Sequence, residues 1–206
     1  MDDTFAALWP RWQADPGAAD LGDALRALAA SGHAAAAQAL AVRAFEGHGG
    51  PRDTAAAFAW ALRAAHGGFA AGAVMAGDFL LHSEPEHGAC VRLAERAVHW
   101  HDRAGLAGHA QGALTASDSH RMGRGTPRDF GRAWFFLRIA LAMFERPPPL
   151  TEILVPSLKT DLDPEVQARV DEEVDALLPD LPRADASLER FWCLAHEHTT
   201  ERKEQG

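Results

Sequence analysis

Apolar residues recur along most of this chain at intervals of three and four, the period of a helix with one buried face. Ala37, Leu40, Ala41 and Ala44 fall at i, i+3, i+4 and i+7. A second stripe follows at Ala57, Trp60, Ala61 and Ala64. Between the two lies Gly47-His48-Gly49, then Pro51-Arg52-Asp53. Glycine accepts the positive φ at a helix C-terminus, proline cannot continue a helix, and aspartate is a good N-cap for the next one. The pattern predicts a helical hairpin whose small side chains allow close approach.

The hairpin recurs. Aligning residues 32–65 with 108–141, an offset of 76, leaves eleven of 34 positions identical. Four are alanines in an alanine-rich chain, but Gly-His-Ala, Gly-x-Gly and Pro-Arg-Asp also return in register. An offset of 76 suits two hairpins, and the middle one shows in its second helix. Trp60 begins W-x-x-x-A-A-x-x-G, Trp100 begins W-x-x-x-A-G-x-x-G, and Phe136 stands at the same place in the third copy. The units are 32–67, 68–107 and 108–143. Their first-helix stripes are Ala37, Leu40, Ala41, Ala44; then Ala73, Ala76, Gly77, Leu80; then Ala113, Ala116, Ser117, His120. The middle unit replaces Gly-x-Gly with a longer 82–88 loop, where its additional residues are accommodated. One hairpin cannot bury its own apolar face, so such units must stack.

The spaced residues from Ala36 through Leu40, Ala41, Gly47, Gly49, Asp53, Ala57, Trp60, Ala64 and Ala65 to Gly68 resemble the signature of the Sel-1-like repeat (SLR) branch of the tetratricopeptide superfamily. Ala44, Leu80 and His120 depart from it where that family usually has tyrosine; the second unit departs further in its loop, and the third in Ser117 and Phe136. The resemblance covers about 110 of the 206 residues. It implies an all-α, right-handed α-solenoid of about three two-helix units, with first helices lining a concave groove.

Helical caps are expected at both ends, over 1–31 and 147–206, with the repeats filling 32–146. Thr4–Gln13 reads as one short helix and Asp20–Ser31 as another. After Pro147-Pro148-Pro149, Thr151–Leu158 reads as a short helix interrupted near Pro156. Asp163-Pro164 starts a firm helix to Leu178, and Ala186–Thr199 forms the last.

Charge narrows the partners. The net charge is −9, with 29 acidic and 20 basic residues. A polyanion is repelled, so nucleic acid and acidic membrane surfaces are poor partners. No window offers the roughly 20 apolar residues of a bilayer span, and the acidic start Met1-Asp2-Asp3 is unlike a secretory signal. A cytoplasmic protein is expected. Cys90 and Cys193 are widely separated, which points to reduced thiols.

Little in the chain suggests chemistry. His99-x-His101 and His196-x-His198 are two apart on helices, pointing about 200° away from each other, so neither pair chelates one ion. They read as surface histidines, and His33 and His109, at one repeat position, as structural or solvent-facing. Ser117, Asp118 and His120 hold the residue types of a hydrolytic triad but splay around one helix. Asp171, Glu172, Glu173 and Asp175 read as a solvated face. No catalytic residue, metal ligand or cofactor is predicted.

The groove face implied by the resemblance comprises Val42, Glu46, Met75, Asp78, Phe79, His82, Gln111, Thr115, Asp118 and Met122. Glu46, Asp78 and Asp118 favour a protein or peptide partner with a basic segment. The chain therefore reads as a non-catalytic adaptor or scaffold. A bacterial immunity or inhibitor protein is the alternative, and a metal-dependent enzyme or ligand binder using converging histidines is the rival class.

Overall fold

The computed structural model describes residues 3–82 and 90–182, and among these every regular element is helical. They divide into two compact units, one running up to Met75 and one from Ala76. The first holds α1 (Asp3–Ala6), α2 (Trp9–Ala14), α3 (Ala19–Ala30), α4 (Ala34–Glu46), α5 (Thr54–His66) and the start of α6 (Ala70–His82). The second holds the rest of α6, then α7 (Cys90–Leu106), α8 (Ala110–Met122), α9 (Phe130–Met143), α10 (Leu150–Asp161) and α11 (Pro164–Leu177). The repeat hairpins are α4 with α5, α6 with α7, and α8 with α9.

Matching sequence produces matching backbone. Gly47 and Gly123 both end a first helix in the left-handed region. After each, the next N–H reaches back five residues, His48 to Arg43 and Arg124 to Ser119. Asp53 N–H then donates to Ala44 O, and Asp129 N–H to His120 O. The aspartate side chains cap the second helices, accepting from Ala56 N–H at 2.9 Å and Arg132 N–H at 2.8 Å. The hairpin turn is thus the same structure twice.

In the first unit, Leu21, Leu25 and Ala29 of α3 pack under α4, whose residues 36–43 are all buried. Ala57, Ala61, Ala64 and Ala65 supply the buried face of α5. Arg43 reaches out of α4 to donate to the carbonyls of Pro16 and Gly17, fastening the N-terminal loop. In the second unit, Phe136, Leu137 and Ile139 of α9 form a core with Leu158 of α10 and Val174 of α11.

Four local expectations are corrected. Thr4–Gln13 is two helices, α1 and α2, because Pro10 opens a new helix at its first turn. Thr151–Leu158 is not interrupted: α10 runs through Pro156, whose neighbours Leu154 and Leu158 are both buried and anchor the two halves. Trp60 is only half-buried, whereas Trp100 and Phe136 are buried. On a 100° wheel, Ala57, Ala61, Ala64 and Ala65 define the buried arc of α5 and Trp60 lies about 40° beyond its edge. Finally, Asp171 is not simply solvated. It accepts from Trp134 Nε1–H at 2.8 Å and from Arg138, which also pairs with Asp175, tying α11 to α9.

Candidate functional site

Helix α8 is the first helix of the third repeat, and its two sides behave differently. Ala113, Ala116, Ser117 and His120, the predicted stripe, are buried. Ser117 Oγ donates to Ala133 O at 2.8 Å, fixing α8 to α9. Opposite, Gln111, Thr115, Asp118 and Met122 recur at i, i+4, i+7 and i+11 and reach solvent. Gln111 and Met122 are exposed; Thr115 and Asp118 are half-exposed. The carboxylate of Asp118 pairs with Arg121 at 2.6 Å and Arg124 at 3.0 Å. The stripe is therefore polar and locally balanced in charge.

The other predicted groove residues divide. Asp78 and Phe79 are half-exposed in the second unit, and Glu46 is half-exposed in the first. Val42 and Met75 are 4% and 1% exposed. Met75 Sδ accepts from the buried Gln38 Nε2–H at 3.5 Å. Helices α4 and α6 are covered on more than one side, so standing away from the alanine stripe does not bring a side chain to the surface. The His82 side chain, the 82–88 loop and the Ala186–Thr199 segment lie outside the residues described above.

Two histidine–aspartate contacts cross the second unit. His101 Nε2 lies 3.1 Å from Asp78 Oδ1, linking α7 to α6. His120 Nε2 lies 3.0 Å from Asp102 Oδ1, linking α8 to α7. A carboxylate accepts, so each Nε2 carries the hydrogen. His101 is fully buried, which corrects its reading as a surface histidine. His120 also stacks on Phe136, with ring centroids 5.6 Å apart. Ser117, Asp118 and His120 thus each turn to a different partner and form no relay. Among the described residues, no three His, Cys, Asp or Glu side chains come together as a metal site.

His33 and His109 prove to be N-caps. Nδ1 of His33 accepts from Ala36 N–H, and Nδ1 of His109 from Gly112 N–H, each at 3.2 Å. Their repeated position after glycine was the available signal. The aspartates facing His101 and His120 had none, because each comes from a different helix.

Successive two-helix hairpins of this kind define a repeat protein of the tetratricopeptide-like class. The model of the Sel1 repeat matches residues 34–69, 74–109 and 115–143, and the chain belongs to the Sel1-like repeat proteins. These are repeat scaffolds, typically engaged in protein interaction and generally non-catalytic. Among solved structures, the chain is similar to a Sel1 repeat protein from Oxalobacter formigenes. The two share 22% identity at a TM-score of 0.50, over 59% of this chain and 47% of that one. A protective antigen present in uropathogenic Escherichia coli strains, displaying an SLR fold, matches at 18% identity and a TM-score of 0.42. That match covers 82% of this chain and 43% of the antigen. The chain spans less than half the length of either. Among curated proteins none matches. No helix among the described residues is long and apolar enough to cross a membrane.

Proposed function

We propose that the chain is a non-catalytic scaffold that holds a protein or peptide against the exposed side of its repeat helices. The observation that supports this reading is the α8 stripe of Gln111, Thr115, Asp118 and Met122. One side of the helix is consumed by packing while the other offers a continuous row of side chains at helical spacing. Polar groups along such a row give orientation, and Met122, a flexible apolar side chain, gives an adaptable anchor.

The partner we infer is an extended or helical protein segment. A basic residue in it would compete with Arg121 and Arg124 for Asp118, so the charge preference is local and modest. Asp78 is a poor probe of this surface, because changing it also breaks the contact with buried His101. The cleaner variant is Gln111→Arg with Thr115→Arg, which lengthens two side chains on the stripe and leaves the buried face alone. Affinity capture from the source organism identifies the partner, and titration calorimetry compares wild type and variant. The variant is expected to bind at least tenfold more weakly at unchanged helicity. Equal affinity would rule out α8 as the contact surface.

A further inference from the structure

Asp53 and Asp129 cap their helices with carboxylates, but α8 begins on an imidazole. A capping carboxylate keeps its acceptor lone pairs throughout the neutral range. A capping imidazole accepts through Nδ1 only while that nitrogen is bare. His109 is 3% exposed, so its ring meets little water that could take over the bond. Among the described residues, the carboxylate of Asp78 on α6 acts on it electrostatically. That same carboxylate is the acceptor for His101 on α7. One carboxylate therefore serves two buried rings from two helices, and it can neutralise one added charge.

We propose that His109 is a proton-operated catch on the start of α8, closed when its ring is neutral and released when it is protonated. Protonation turns Nδ1 into a donor pointed at another donor, the Gly112 N–H, and leaves a cation in a dry site. Burial accordingly pushes the ring down from 6.5 to about 4, with Asp78 opposing. The value is lower in the folded chain than in the released or unfolded one, so the released state takes the proton first as pH falls. The catch holds fully above about 6.5, weakens from there to about 4, and loses nothing further below. His33 makes the same cap on α4 in a half-buried setting, where its ring stacks on Phe5. The inference goes beyond the scaffold reading, since it stands whether or not α8 touches a partner.

Nuclear magnetic resonance tests it by following the Gly112 amide and the His109 ring from pH 7.5 to 3.5. In the wild type both should move together, with a midpoint between about 4 and 6.5. In His109→Asn the side-chain oxygen keeps an acceptor at the cap that does not titrate, so the Gly112 step should vanish. His33→Asn should leave that step in place, and Asp78→Asn should move it to lower pH. Should the second unit unfold before the step completes, urea melts at pH 7 and pH 4 decide instead. The drop in midpoint between the two pH values must then be smaller in His109→Asn than in the wild type. A Gly112 step surviving in His109→Asn, or an equal drop in urea midpoint, overturns the catch.

Discussion

His101 fits between α6 and α7 because the residue facing it is Gly77. A Cβ added at Gly77 would lie 2.5 Å from His101 Nε2, well inside contact distance. Alanine is the better helix former by about 1 kcal/mol, so an exposed Gly→Ala change would stabilise α6. Here overpacking opposes it, at roughly 1–3 kcal/mol, and the Asp78 contact is strained as well. Gly77→Ala is expected to lose about 1–2 kcal/mol net in urea melts; a gain would mean His101 can move aside freely. The glycine was legible in the sequence only as a small residue in a stripe. The histidine it admits was read as solvated because local spacing carries no trace of an aspartate 23 residues away. Asp118 is a contrasting case: its partner Arg121 stands three residues on, within the reach of one helical turn.

At the scale of helices, the aromatic position of each second helix was legible and its depth was not. Phe136 is fully buried in α9, where residues 133–137, 139 and 140 are all covered. Phe136→Ala should cost roughly 3–5 kcal/mol. Trp60 holds the same repeat position at the margin of a narrow alanine face, with Arg63 5.6 Å from its ring centroid. Trp60→Ala should cost about 1–2 kcal/mol, in proportion to the smaller area it covers. Denaturant melts of the two variants check the order, and equal losses would show that the rings are equally enclosed. The turn ahead of these helices was fully legible, since its glycines and capping aspartate act within a few residues. Asp129→Ala, which removes the cap on α9, should cost about 1 kcal/mol. A change below a few tenths would mean the Arg132 N–H finds water as easily. Pro156 shows the converse: a local breaker was overridden by burial of Leu154 and Leu158 on either side.

For the molecule as a whole, charge and repetition act separately. A net charge of −9 and a sequence pI of about 5.6 mean that a polyanion meets net repulsion at neutral pH. The protein should pass through a heparin column at low salt and be retained on an anion exchanger; retention on heparin would reveal a basic patch that net charge conceals. Repetition sets how the chain can vary. His33, Phe69 and His109 each follow a glycine with positive φ, and each N–H returns five residues, to Leu28, Ala64 and Ala104. Helices α3, α5 and α7 thus leave through the same joint, whereas α9 ends on the extended Phe144. A duplication of residues 33–108 inserted after Gly108 would meet the Gly–His junction it left, in frame and with its capping histidine in place. A change in length by whole repeats would therefore need no new turn at this joint.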